Sequence, residues 1–431
     1  MRLRLPAAAL LPALALLAAA PAGAQTAGAH MARGVARLEA GDALGAVVEL
    51  RRALELDSTQ LPIYGALGRA YLESGSWAQA EAVASAGLRR FPREVGLHLL
   101  RGDALSQGGQ LDSAIAAYAA AEQWALVGAP GGVSPETLRE RVGLSLLGQA
   151  ERALERGRLE EALRGFEAAR ARIGDTAAVH SGLALAHARR GEWRAALQAA
   201  ERGLERSPSD VSLLRLRAGA LAELKDYAAL EPALARLRAH LHGDVDIALA
   251  HGQTLIVNGK GHEALALYDT LLRANPRERR IYEALLRVHR ANSNWPLVEG
   301  VYRHMRQHFP EDAEALRGIG TAAELQEKWD SARAAYDTLA ALSPADARAA
   351  RLAMVRTYRA QDSLGAAIAV LERLRGSAPR DTVLLRLLGE VQEDVGEWAG
   401  ALETYRALGE LERGGYAAAR TGRILERRGD R

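Results

Sequence analysis

The sequence predicts an all-α solenoid of antiparallel helix pairs. Three observations predict it. A small residue recurs at Ala46, Ala80, Ala114, Ala162, Ala196, Leu230, Ala264, Val298, Ala332, Ala367 and Ala401, with a step of 34 residues at all but two intervals. Five of the six tryptophans fall in one slot three residues earlier, at Trp77, Trp193, Trp295, Trp329 and Trp398. Prolines return twelve residues after the small position, at Pro92, Pro208, Pro276, Pro310, Pro344 and Pro379. A period of this length means one helical hairpin copied and stacked, each copy burying its apolar face against the next.

Within one period the elements follow in order. Twelve residues before the recurring alanine another small slot holds Gly34, Gly68, Gly102, Ala150, Ala184, Ala218, Gly252, Gly320 and Gly389, where two helix backbones are expected to approach closely. Leu286 and Val355 break that slot. Five residues before the alanine, Gly41, Gly75, Gly109, Gly157, Gly191, Gly259 and Gly396 mark the turn between the two helices, since glycine ends a helix at positive φ without strain. Four residues after it an aromatic returns, at Tyr118, Phe166, Tyr268, Tyr302, Tyr336 and Tyr405, one turn along the same face and expected to fill the space against the next hairpin. The prolines cannot continue the second helix and are placed to start the following one.

One copy reads Tyr64, Leu67, Gly68, Tyr71, Gly75, Trp77, Ala80, Pro92. In these residues and spacings the chain resembles the tetratricopeptide repeat family from Thr26 onward. The resemblance implies a right-handed superhelical solenoid. About eleven repeats begin near Ala27, Leu61, Val95, Gly143, Ala177, Val211, Val245, Arg279, Ala313, Arg348 and Thr382, followed by a lone helix.

The expected organisation is a signal peptide over 1–24, repeats one to three over 25–128, an insertion loop and helix extension over 129–142, repeats four to eleven over 143–414, and a capping helix over 415–431. The insertion holds Ala129-Pro130-Gly131-Gly132, after which Ser134-Pro135-Glu136 reads as an N-cap with proline at the first helical position. The first helix of the fourth repeat is therefore expected to gain about two turns. Pro232 should bend the second helix of the sixth repeat, which carries Lys225 in place of the turn glycine. An irregular joint is expected between the fourth and seventh repeats.

At the N-terminus Arg2 and Arg4 precede an apolar run from Ala7 to Ala20, then Pro21 and Ala22-Gly23-Ala24. This is the charge, length and small-residue pattern of a cleavable export signal, which places the mature chain in the periplasm or outside the cell. Cysteine is absent, which removes disulfides, thiol nucleophiles and thiolate metal sites. No later segment reads as membrane-spanning.

Net charge is +3, about +1 without the leader, and lysine occurs only at Lys225, Lys260 and Lys328 among 56 basic residues. Acidic residues are interleaved throughout and the aromatics are committed to packing slots, so nucleic acid is not an expected partner. No catalytic, cofactor or metal constellation emerges. His304 and His308 share a helix face without the glutamate of a metalloprotease motif, and His240, His242, His251 and His262 lack a carboxylate spacing. Asn258-Gly259-Lys260-Gly261 is a turn rather than a phosphate loop.

The resemblance implies that the first helices line a concave groove holding a segment of a partner protein. Its groove positions fall on Glu283, Arg287 and Arg290, then Arg317, Thr321 and Glu324, then Leu352, Arg356 and Arg359, then Arg386, Glu390 and Glu393. The candidate partner-binding residues are Arg287, Arg290, Arg317, Thr321, Arg356, Arg359 and Arg386. Guanidinium groups there suit an acidic protein or peptide. The asparagines and lysines of the family's carboxylate clamp are missing at these positions. The expected function is a non-catalytic interaction scaffold or adaptor in the bacterial periplasm. The alternative is a structural component of an envelope export or polysaccharide-secretion assembly.

Expression in a bacterial host with an intact export pathway should yield a periplasmic chain starting near Gln25, read by intact mass. A full-length cytoplasmic product would overturn the leader assignment.

Overall fold

A computed structural model describes residues 26–128, 133–412 and 414–428. The segment expected to be a leader, 1–24, and the run Ala129 to Gly132 lie outside the described residues. The chain divides into two compact bodies between His240 and Leu241.

In the first body, six helix pairs follow one another: α1 (Ala27–Glu39) with α2 (Ala43–Leu56), α3 (Leu61–Glu73) with α4 (Trp77–Arg90), α5 (Val95–Gln107) with α6 (Leu111–Leu126), α7 (Pro135–Glu155) with α8 (Leu159–Ile173), α9 (Ala177–Arg189) with α10 (Trp193–Arg206), and α11 (Val211–Glu223) with α12 (Tyr227–His240). The second body holds five: α13 (Val245–Val257) with α14 (Gly261–Ala274), α15 (Arg279–Ala291) with α16 (Trp295–His308), α17 (Ala313–Glu324) with α18 (Trp329–Leu342), α19 (Ala347–Ala360) with α20 (Leu364–Ser377), and α21 (Thr382–Val395) with α22 (Trp398–Leu411). A single helix, α23 (Tyr416–Arg428), follows. Among the described residues there is no strand. Eleven antiparallel pairs and one further helix are what the sequence period requires.

The turn inside each pair depends on one residue in the left-handed region. Glycine supplies it in seven repeats, and Lys225, Ser293, Glu327 and Asp362 supply it in the other four at φ between 52° and 57°. All eleven turns therefore share one backbone geometry, although a Cβ makes it costlier in four of them. Aspartates cap several helix starts. Asp42 accepts from the Gly45 amide at 2.8 Å, and Asp312 from the Glu314 amide at 2.8 Å.

The recurring small residue is buried in every repeat. The second small slot marks a close approach of helix backbones at Ala150, where a Cβ on Gly165 would lie 3.2 Å from the Ala150 Cα, but at four other positions it makes room for a ring. At Gly102, Gly252, Gly320 and Gly389 a Cβ would lie 2.4, 2.3, 2.4 and 2.6 Å from the ring of Tyr118, Tyr268, Tyr336 and Tyr405. The aromatic of the second helix thus lies across the first helix of its own repeat, and glycine leaves room for the ring. Phe166 and Tyr302 instead press on Gly182 and Gly318 of the following repeat. All six rings are buried.

The six prolines also depart from expectation. Each stands three residues ahead of the next first helix, in the inter-repeat loop and not at its first turn. There the loop carbonyls serve as acceptors: Pro92 receives the His98 ring at 2.9 Å and Pro276 the Tyr282 hydroxyl at 2.8 Å. Pro232 is exposed within a continuous α12. Helix α7 has 21 residues where α5 and α9 have 13, and Ser134 caps it by accepting from the Thr137 amide at 3.1 Å.

Replacing Gly320 by alanine should lower stability by about 1–3 kcal/mol, because the Tyr336 ring is pinned beneath it. The same change at exposed Gly300, which has open space around it, should raise stability by about 0.5–1 kcal/mol, the ordinary helical preference for alanine. Urea midpoints of the two variants check the contrast, and like signs would contradict it.

Candidate partner-binding face

The first helices of the second body start every 34 or 35 residues, which brings arginines of one repeat beside carboxylates of the next. Arg279 pairs with Asp312 at 2.7 Å and Glu314 at 2.6 Å, Arg317 with Asp346 at 2.5 Å, and Arg348 with Asp381 at 2.5 Å. Arg280 meets Asp246 in the opposite direction along the chain. Of the predicted site residues, Arg356 reaches Glu324 at 3.3 Å, Arg359 reaches Asp394 at 3.4 Å, and Arg386 reaches Glu412 at 2.8 Å while lying 4.4 Å over the Tyr416 ring.

The expected basic face is therefore largely neutralised from within. Four of its six arginines hold carboxylates of neighbouring segments. These pairs are well exposed on the arginine side, so each adds little stability and mainly fixes the register between repeats.

A deeper row of contacts lies beneath them. Tyr336 donates its hydroxyl proton to Glu324 at 2.8 Å, and Glu324 holds Arg356 of the next repeat. Tyr405 donates to Glu393 at 3.3 Å, and Glu393 holds Arg420 of α23 at 2.7 Å. In the first body Tyr118 donates to Asp103 at 2.7 Å, with Arg141 at 3.6 Å. Each relay carries an interaction from a second helix, through a carboxylate on its own first helix, to the helix that follows. Burial pushes the Asp103 carboxyl up from its ordinary value, against the opposing pull of Arg141 and the Tyr118 hydroxyl. Burial first, then the adjacent Asp103 charge, pushes the Tyr118 hydroxyl up strongly.

The eighth repeat breaks this arrangement. Arg290 stands twelve residues before Tyr302, the offset at which Glu324 precedes Tyr336 and Glu393 precedes Tyr405. Its guanidinium donates to the Tyr302 hydroxyl and lies 5.4 Å over that ring. Arg287 nearby donates to the Gln253 side chain at 3.4 Å. These two predicted arginines thus bond to neutral groups.

Between α15, α16 and α17 lies a cleft of about 280 Å³ lined by Arg290, Trp295, Val298, Tyr302, Glu314, Arg317, Gly318, Thr321 and Ala322. It gathers Arg290, Arg317 and Thr321 of the predicted site. Arg287, Arg356, Arg359 and Arg386 are not among its lining residues. Sequence reasoning missed Tyr302, Glu314 and Trp295 as part of this site, having assigned the aromatics to packing alone. The twelve-residue offset between Arg290 and Tyr302 was the available signal.

Among the described residues no group of three or more histidines and carboxylates is arranged to hold a metal ion. His304 accepts or donates at 3.1 Å with Tyr282 and packs its ring 5.0 Å from that of His308. Among the described residues no helix is long and apolar enough to cross a membrane.

A profile described as tetratricopeptide repeat matches residues 66–127, 147–210, 182–239, 249–297, 301–347 and 352–412, well over half of the chain. The chain belongs to the tetratricopeptide repeat family. Such proteins are typically non-catalytic scaffolds, and the fold supports a protein–protein interaction scaffold. A search of curated proteins returned no match. Among solved structures, the chain is similar to one of Naa15/Naa10 bound to HypK-THB, with 14% identity and a TM-score of 0.42 over 94% of this chain, and it spans 66% of that chain. The C-terminal part of a repeat-containing protein from Cytophaga hutchinsonii aligns at 15% identity and a TM-score of 0.44 over 59% of this chain and 99% of that one. A tetratricopeptide repeat protein from Parabacteroides merdae aligns at 14% identity and 0.35 over 61% and 98%.

Two substitutions separate the exposed pairs from the buried relay. Arg359→Ala should cost under about 1 kcal/mol. Arg420→Ala should cost about 2–3 kcal/mol, because it leaves Glu393, whose side chain is 6% exposed, without its nearest cation. Urea unfolding of each variant checks the ranking, and equal losses would refute it.

Proposed function

We propose that this chain is a non-catalytic adaptor of the bacterial periplasm that holds a segment of a partner protein along the first-helix face of its second body. The observation that carries this reading is the cleft between α15 and α17. It joins half-buried Trp295 and buried Val298 to a rim of Arg290, Arg317 and Thr321, an apolar floor with a few polar groups that fix orientation. Internal ion pairing elsewhere on the face leaves this cleft as its chemically distinct point. The leader pattern around Arg2, Arg4 and Ala7 to Ala20, together with the absence of cysteine, supports export as the route to the partner.

The test is site-specific photo-crosslinking in native cells. A photoreactive residue at Thr321 or Arg287 should trap one partner, while the same residue at exposed Asp337 on α18 should not. Trapping of the same protein from both faces, or from Asp337 alone, would refute binding along the first helices. A partner found only in the cytoplasm would refute the periplasmic assignment.

A further inference from the structure

In the ninth and eleventh repeats a tyrosine hydroxyl donates to a glutamate twelve residues earlier, and that glutamate binds an arginine of the following segment. In the eighth repeat the equivalent position is Arg290. Two groups are consequently left incomplete. Among the described residues the Arg290 guanidinium has the Tyr302 hydroxyl and ring as partners and no carboxylate. The Tyr302 hydroxyl receives from Arg290, and its own proton has no acceptor among the described residues.

Of the other charges at the cleft, Arg317 pairs with Asp346 at 2.5 Å, and Glu314 shares Arg279 with Asp312 and Glu283. Among the described residues Arg290 is the cation lining the cleft that has no carboxylate within ion-pair reach. The cleft, at about 280 Å³, offers the room of several water molecules, each of which takes about 30 Å³ in the liquid. Val298, Gly318 and Ala322 give it an apolar floor on which a side-chain stem can lie.

We propose that the partner segment inserts an aspartate or glutamate side chain here. This rests on the partner-binding reading above and names the chemistry of its central contact. The incoming carboxylate accepts from Arg290 and from the Tyr302 hydroxyl, with Arg317 on its other side. The partner thus supplies in trans the acid that Glu324 and Glu393 supply within their own repeats. A charge-assisted bond of this kind discriminates an acid from its amide.

The experiment uses the full chain and pools of acetylated, amidated dodecapeptides of random sequence, with a central residue fixed as Glu, Gln or Lys. Fluorescence polarisation should show the Glu pool binding about tenfold more tightly than the Gln pool, the worth of one charge-assisted hydrogen bond. Arg290→Glu should abolish that preference, since it replaces the cationic donor by an acid. Arg290→Gln should reduce the preference several-fold and carries the test should the charge reversal fail to fold. Equal binding of Glu and Gln pools by the wild type, or a preference unchanged in the variants, overturns the proposal. If the pools bind equally while Thr321 still crosslinks a partner, only the carboxylate assignment falls. If no pool binds and no partner crosslinks, the partner-binding reading falls with it.

Discussion

An aromatic ring lying where a side chain has been left out is a contact that recurs in four of this molecule's repeats, and in three of them it ties packing to surface charge. Tyr118, Tyr268, Tyr336 and Tyr405 each cross the first helix of their own repeat over a glycine that lacks the Cβ they would strike. The ring fixes how closely two helices approach, and its burial supplies much of the apolar area that one hairpin alone cannot hide. Because the ring points from the second helix through the first, its hydroxyl emerges at the face on which the first helices of successive repeats meet.

That emergence couples packing to electrostatics. A buried phenol needs a partner, and where Asp103, Glu324 and Glu393 provide one, the carboxylate gains a second donor from the following helix. The core contact and the register between repeats are thereby tied through one oxygen. Exposed arginine–carboxylate pairs then cover the same face, each weak but in step with the period. That face is largely a self-paired polar lattice, and the point that differs is where Arg290 takes the place of an acid.

The turns show a complementary economy. Seven glycines and four other residues hold the same left-handed conformation. Stacking the pair dictates the turn, and local preference only lowers its cost. A repeat that has lost its glycine keeps the geometry, because the packing of its two helices dictates the turn.

Helix pairing, the number of repeats, the extended α7 and the buried slots were legible in the sequence, because each follows from local periodicity and repeats often enough to be read against itself. The arginines at Arg317, Arg356, Arg359 and Arg386 read as free cations, since the acids that hold them stand about one period away or on the loop before α23. Sequence spacing does not say which of many interleaved charges will meet. The joining of Arg290, Tyr302 and Arg317 around one cleft was likewise decided by the stacking of three helices, which brings together residues up to 27 positions apart. Period and side-chain size determined the fold; the pairing of charges across repeats, and with it the placing of Arg290 against Tyr302, was settled only when the hairpins packed.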